Sequence, residues 1–146
     1  RLARDVMMLG FLIERVYAPY PKWFGTGFAK LACAPALTPI LHRVFDAQTW
    51  REREQALGEA YGILAQMHNA LGITAPLPTE VSPFHERPYQ VIHGEAFAEA
   101  LVAQIADGDV KRIATKTMIG SIDQFSDSTD LRENVGLREV LKALYE

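Results

Sequence analysis

Cysteine is almost absent from this sequence. Cys33 is the only cysteine among 146 residues, which excludes an internal disulfide and any zinc site built from cysteines. It lies in the apolar segment 31–35 with no neighbouring base, so we expect a small buried hydrophobe rather than a catalytic thiol. Such cysteine usage suits a reducing compartment. It therefore favours a cytoplasmic protein.

The sequence also lacks a basic excess and a long apolar run. It has 15 Lys and Arg residues against 18 Asp and Glu residues, for a formal net charge of -3. A dedicated nucleic-acid binder needs a basic face to neutralise phosphates, so the charge argues against that class. The first apolar run is interrupted by Glu14 and Arg15, well short of the ~20 residues that span a bilayer. We therefore expect neither a nucleic-acid partner nor a membrane segment.

Two long stretches have helical periodicity. The first has a stripe of apolar residues at helical spacing, Leu2, Val6, Leu9, Ile13, Val16 and Tyr17, which Met7, Phe11 and Leu12 widen. Because Gly10 inside that helix costs about 1 kcal/mol relative to alanine, we expect a closely packed neighbour beside it. The second begins with a capping box, Thr49 and Glu52, and Gly72 is its expected stop. Its apolar face comprises Trp50, Leu57, Tyr61, Leu64, Met67 and Leu71.

The remaining pattern predicts shorter helices joined by a connector. Segments 24–32, 38–45, 95–106 and 110–119 favour helix, with Gly108 as a stop, and a last helix follows residue 134. Segment 73–88 contains four prolines and predicts an extended connector. The whole chain is predicted to be one all-α domain, 1–146, a helical bundle of about five to seven helices. Because it begins inside a helical pattern, we expect the C-terminal lobe of a longer protein.

The first polar constellation follows the first helix. It comprises Glu14 and Arg15, followed by the run Tyr20-Pro21-Lys22-Trp23-Phe24-Gly25-Thr26. Proline fixes the backbone, while the ammonium and the aromatic faces suit a phosphate or a nucleobase. The alternative is an aromatic-rich helix connection with Lys22 in solvent.

The second constellation comprises His68 and Asn69, late in the long helix, with His85 and Arg87 in the connector. A histidine can act as a general base, but none of the four histidines has metal-ligand spacing to another. We therefore predict no metal site from the histidines. The alternative for His68 is a position at the core boundary, with a hydrogen bond.

The third constellation contains Asp123, Asp127 and Asp130. These aspartates would gather on one face of a local helix and could then bind a divalent cation. The same residue types also form helix caps and Asx turns. A nucleotidyltransferase site opens with Gly-Ser and needs two carboxylates one residue apart on a strand. In this sequence Asp130 follows Gly120-Ser121, but Arg132 stands where the second carboxylate should be. We therefore predict no nucleotidyltransferase catalytic residue in this chain.

Together these motifs resemble a family of uncharacterised bacterial domains that follow a nucleotidyltransferase-fold domain in the same polypeptide. The motifs that carry the resemblance are Glu14-Arg15, Tyr20-Pro21-Lys22-Trp23, His68-Asn69, Arg87-Pro88-Tyr89, Gly120-Ser121-Ile122-Asp123-Gln124 and Asp127-Ser128-Thr129. The resemblance implies an all-helical C-terminal lobe, similar in plan to aminoglycoside nucleotidyltransferases. The catalytic carboxylates, Mg²⁺ and a nucleoside triphosphate would then belong to the N-terminal lobe.

The leading functional hypothesis is an accessory lobe that faces a small-molecule substrate or the nucleotide and is not catalytic alone. Arg15 and Lys22 would meet phosphate, and Tyr20 and Trp23 would be stacking surfaces for a base. Asp123 and Asp127 would bind a cationic substrate or orient the basic groups by ion pairing. The complete set of predicted binding residues is Arg15, Tyr20, Lys22, Trp23, His68, Asn69, Arg87, Asp123 and Asp127. One alternative is an interaction or dimerisation module that uses the apolar first helix. A weaker one is a metal-dependent hydrolase built on Asp123, Asp127 and Asp130.

Overall fold

A computed structural model describes residues 1–114 and 134–142 of the chain. The predicted all-α architecture is confirmed, since helices dominate the described residues. The chain divides into two compact units, Arg1–Leu101 and Val102–Glu146. In chain order the elements are α1 (Leu2–Ile13), a 3₁₀ turn (Pro21–Trp23), α2 (Phe24–Phe28), α3 (Ala34–Asp46), α4 (Trp50–Ala70), β1 (Ser82–Pro83), β2 (Gln90–Val91), α5 (Gly94–Ala103), α6 (Gly108–Ala114) and α7 (Val135–Lys142).

Helix α1 buries part of its predicted apolar stripe and leaves the rest exposed. Its buried residues are Ala3, Val6, Gly10 and Phe11, whereas more than half of Leu2 and nearly all of Tyr17 are exposed. The phenyl ring of Phe11 lies between Phe24 and Phe28 of α2, with ring centroids 5.3 and 6.4 Å away. Since nearly every position of this helix is apolar, the pattern could not show which side packs.

Gly10 is required by close packing, as predicted. A Cβ atom at this position would lie 3.2 Å from the Cys33 sulfur and 3.6 Å from side-chain atoms of Leu31 and Phe28. Such a contact is tighter than ordinary van der Waals packing. The glycine therefore lets α1 approach the segment that leads into α3.

Helix α3 begins at Ala34, four residues before the predicted start, and Pro39 lies in its interior rather than its first turn. The carboxylate of Glu14 accepts hydrogen bonds from the backbone N–H groups of Ala32 and Cys33, each at 2.8 Å. It thereby satisfies backbone donors just before the helix. The buried face of α3 packs mainly on α4, and this burial offsets the hydrogen bond that Pro39 cannot donate.

The predicted start and stop of α4 are confirmed. The Thr49 hydroxyl accepts from the Glu52 N–H at 3.2 Å, and the Glu52 carboxylate accepts from the Thr49 N–H at 3.0 Å. Gly72 has φ +63°, a left-handed conformation that glycine adopts without strain. Leu57 and Leu64 are buried on the predicted face, but half of Trp50 is exposed.

The connector between α4 and α5 contains a small antiparallel ribbon that the sequence did not reveal. Ser82 pairs with Val91, and Pro83 pairs with Gln90. Two residues per strand are too few for a visible alternation of polar and apolar side chains. The connector lies close to α4, because a Cβ atom on Gly62 would be 2.9 Å from the Thr79 carbonyl oxygen.

The boundaries after the ribbon also differ from those predicted. Helix α5 ends at Ala103 rather than at residue 106, and Gly108 begins α6 instead of ending the preceding helix. The Asp107 carboxylate accepts from the N–H groups of Asp109 and Val110, at 2.9 and 3.0 Å. An aspartate in this position is a usual helix N-cap. None of the helices in the described residues combines the length and the apolar character that crossing a membrane requires.

Candidate functional site

The region from Arg15 to Trp23, which we call the aromatic–basic segment, forms an ordered turn with exposed side chains. The Trp23 N–H donates to the Tyr20 carbonyl at 2.8 Å, and Pro21 begins the 3₁₀ turn. The rings of Tyr20 and Trp23 remain 55% and 58% exposed. The ammonium nitrogen of Lys22 lies 5.7 Å from the centroid of the Trp23 ring. Residues 20–23 of the segment thus offer a cation and two aromatic surfaces to solvent.

Arg15 begins this segment at the end of α1. Its φ of 57° is a left-handed conformation that costs roughly 1 kcal/mol for a residue other than glycine. The Arg15 N–H donates to the Leu12 carbonyl at 3.1 Å, and the Val16 N–H donates to Phe11 at 2.9 Å. This turn ends the helix and directs the chain into the exposed aromatic residues.

The segment is anchored by its neighbours along the chain. Pro19 packs against α2 so closely that a Cβ atom on Gly27 would lie 2.7 Å from the proline ring. Phe24, directly after the turn, is buried against Phe11. These two contacts hold the backbone on both sides of Lys22, while its side chain stays exposed.

Glu14 has a structural role beside this segment. Burial opposes ionisation of its carboxyl group, but hydrogen bonds from the Cys33 thiol and from the N–H groups of Ala32 and Cys33 keep the pKa of Glu14 below its usual value. Burial, followed by the hydrogen bond and the charge of Glu14, raises the pKa of the Cys33 thiol to about 12. Cys33 is buried. The predicted small buried hydrophobe is therefore confirmed.

His68 and Asn69 lie together at the end of α4, where their polar groups hold the connector. The amide of Asn69 donates to the Leu77 carbonyl at 2.8 Å and accepts from the Leu77 N–H at 3.0 Å. His68 is 8% exposed, and its Nε2 lies 2.9 Å from the Thr74 hydroxyl. This is the hydrogen-bonded position at the core boundary that the alternative interpretation of His68 describes.

Arg87 stands on the loop of the β1–β2 ribbon. Its guanidinium lies 3.4 Å from the Tyr89 hydroxyl, and the Tyr89 ring stacks on Phe84 with centroids 5.7 Å apart. These contacts lie within the ribbon, whereas Lys22 belongs to the aromatic–basic segment and His68 to the end of α4. The predicted binding residues in the described part of the chain therefore belong to three different elements: the aromatic–basic segment, the end of α4 and the ribbon.

The predicted acidic residues Asp123, Asp127 and Asp130 lie outside the described residues. Within residues 1–114 and 134–142, no three histidine, cysteine or acidic side chains are grouped so that they could hold a metal ion.

An apolar groove of about 390 Å³ lies between α1, α4 and α5, a size in the range of small-molecule sites. Its lining residues include Leu9, Leu12, Ile13, Tyr61, Leu64, His68, Ile92, Gly94, Phe97 and Leu101. Burial, and then the negative charge of Asp5, raise the pKa of Tyr61 in this groove. Sequence analysis did not predict the groove. The predicted stripe of α1 contains Leu9 and Ile13, but their periodicity could not distinguish a groove wall from a packed core.

The comparisons with known proteins concern the start of the chain. Residues 1–24 match the model of a family described as "Domain of unknown function (DUF4037)". No curated protein and no solved structure matches the chain. The similarity covers α1 and the aromatic–basic segment, and the family's description names no activity.

Proposed function

We propose that this chain is an accessory helical lobe of a nucleotidyltransferase-type protein, facing the nucleotide or a small-molecule substrate and not catalysing nucleotidyl transfer alone. The observation that carries the proposal is the exposed aromatic–basic segment. Tyr and Trp are enriched at interfaces, and ordered loops that carry such residues are common binding elements. Lys22 and Arg15 would meet phosphate groups, while Tyr20 and Trp23 would stack on a base.

Two further observations support this proposal. The backbone on both sides of Lys22 is fixed, so a ligand would meet a preformed surface and little conformational entropy would be lost on binding. The family match over residues 1–24 includes the whole segment, as the resemblance to domains that follow a nucleotidyltransferase fold also does. The Mg²⁺ ion and the catalytic carboxylates of that reaction are assigned by this proposal to an N-terminal domain.

The chain provides its own control for a binding experiment. Trp50 is also about half exposed, and the Arg51 guanidinium lies 5.0 Å from its ring. This second cation–aromatic pair belongs to the start of α4 rather than to the proposed site. We would therefore monitor Trp23 fluorescence in a Trp50→Phe background and compare Lys22→Ala with Arg51→Ala during titration with ATP and Mg²⁺. Weaker nucleotide binding in Lys22→Ala, with unchanged binding in Arg51→Ala, would support the proposed site.

A second candidate function is dimerisation through α1, and the exposure of its apolar side chains favours it. Leu2 is 54% exposed, Leu9 43% and Leu12 66%, and apolar surface that is exposed together often marks a contact between proteins. If α1 forms a dimer interface, light scattering will give twice the chain mass, and Leu12→Glu will give the monomer mass. A monomer at high concentration would exclude this function.

A further inference from the structure

Within the unit Arg1–Leu101, the side chains of Ser82, His93 and Glu95 contact one another in that order. The proposed function does not use these residues. The hydroxyl oxygen of Ser82 lies 2.8 Å from Nε2 of His93. Nδ1 of the same imidazole lies 3.5 Å from a carboxylate oxygen of Glu95. A hydroxyl, an imidazole and a carboxylate in this order are the groups of a nucleophile, a general base and an orienting acid.

The fold brings these residues together from both sides of the ribbon. Ser82 on β1 pairs with Val91 on β2, so the start of β1 lies beside the chain that leads to His93. His93 has φ 53°, a left-handed conformation that costs roughly 1 kcal/mol and is frequent at functional sites. Its carbonyl accepts from the Ala96 N–H at 3.0 Å as α5 begins. This turn places Glu95 beside the imidazole.

The contacts favour one tautomer of His93. A carboxylate beside Nδ1 favours the tautomer with its proton on Nδ1, which leaves the Nε2 lone pair to accept the hydrogen bond of Ser82. The other hydroxyl–imidazole pair of this unit has the opposite arrangement. The Thr74 hydroxyl donates to the Ala75 carbonyl at 2.9 Å, so His68 must be the donor to Thr74. Of these two pairs, only the Ser82 pair has an imidazole placed to remove a hydroxyl proton.

The acid and the base are accessible to a reactant. The side chains of His93 and Glu95 are 42% and 66% exposed, and Ser82 is exposed. Both chain neighbours of His93, Ile92 and Gly94, belong to the lining of the apolar groove. The groove therefore begins beside the backbone of residue 93, and its apolar walls suit the hydrocarbon part of an acyl group.

We propose that Ser82 is the nucleophile of an acyl-transfer site that cleaves esters of small apolar carboxylic acids. The Ser82 oxygen attacks the ester carbonyl carbon while its proton moves to Nε2 of His93. The bond from that carbon to the alcohol oxygen then breaks, and His93 returns the proton to the departing alcohol. Water attacks the acyl-serine in the same way and releases the carboxylic acid. Glu95 is a positioning residue, since it holds the imidazole without touching the reacting atoms.

The test uses p-nitrophenyl butyrate with the complete chain. We expect p-nitrophenolate release and a butyryl group on Ser82, located by peptide mass spectrometry. Ser82→Ala should abolish both, and His93→Gln should slow acylation by about 10²-fold or more, the usual contribution of a general base. The matched control is Thr74→Val, which removes the other hydroxyl beside a histidine and should leave acylation unchanged. Circular dichroism melting would confirm that each variant is folded.

Two results would overturn the proposal. The first is hydrolysis by the natural chain no faster than by folded Ser82→Ala, and the second is a butyryl group on residues other than Ser82.

Added imidazole should restore acylation in His93→Ala, because it can replace a missing base but cannot repair a structural defect. Glu95→Asp should keep more of the rate than Glu95→Gln, whose amide can donate to Nδ1 and favour the wrong tautomer. Nucleotide binding at Lys22 is measured separately, so either proposal can fail alone.

Discussion

At the scale of single residues, the structure separates side chains that hold the fold from side chains that are exposed for contact. Glu14 and Arg15 are adjacent in the sequence but have different roles. The Glu14 carboxylate binds the backbone before α3, whereas Arg15 is exposed in a left-handed turn. Their different roles could not be predicted from the sequence, because a polar pair after an apolar helix does not reveal which residue has a backbone partner.

Glu14→Gln is expected to destabilise the fold by about 1 kcal/mol at pH 7, the net value of one or two partly exposed hydrogen bonds. The pKa of Glu14 is lowered in the folded state from the ordinary value of 4.5. Its contribution is therefore complete above the pKa of the unfolded chain and is lost as the pH falls through the folded pKa. Urea unfolding at pH 7 and below pH 4 would measure this difference.

The control for Glu14 is Glu99→Gln, since Glu99 is exposed on α5. We expect this variant to unfold at the same urea concentration as the natural chain at both pH values. Equal stabilities of Glu14→Gln and the natural chain at pH 7 would contradict the role assigned to the Glu14 carboxylate.

At the scale of elements, features that depend on a few neighbouring residues were predicted correctly from the sequence. Features that depend on tertiary packing were not. The capping box of α4 and its glycine stop were predicted because each depends on a few neighbouring residues. The exposed part of the α1 stripe, the early start of α3 and the β1–β2 ribbon were not predicted. Each of them depends on a partner far along the chain, such as Phe24 for α1, Glu14 for α3 and the hairpin partner for β1.

Gly62→Ala is expected to destabilise the fold by about 1–2 kcal/mol, although alanine favours helix by about 1 kcal/mol. The new Cβ atom would lie 2.9 Å from the Thr79 carbonyl oxygen, so the connector would have to move away from α4. That movement would strain the two hydrogen bonds between Asn69 and Leu77. The free energy of unfolding, measured with urea, tests this expectation.

The matched control is Gly25→Ala in α2, where a Cβ atom would meet no atom within 4 Å. Helix propensity should then dominate, and the variant should be as stable as the natural chain or more stable by up to about 1 kcal/mol. If both alanine variants were stabilising, the close approach of the connector to α4 would be wrong.

At the scale of the whole molecule, composition and periodicity predicted the all-α class, but not where a site would lie. The motif Tyr20 to Trp23 could be identified from residue types, because aromatic and basic residues beside proline have a recognisable chemistry. The apolar groove and the Ser82–His93–Glu95 contacts could not be identified, since they join residues that meet only after α4, the ribbon and α5 have packed. The proposed nucleotide-facing role therefore depends on the segment that both the motif and the family match include.

Trp23 fluorescence during titration with ATP and Mg²⁺ tests that role most directly. In the Trp50→Phe background we expect a saturable change, with a dissociation constant about tenfold higher in Lys22→Ala, corresponding to the loss of roughly 1.4 kcal/mol of binding free energy. Arg51→Ala should leave the constant unchanged. A flat titration, or equal constants with and without Lys22, would contradict a nucleotide contact at the aromatic–basic segment.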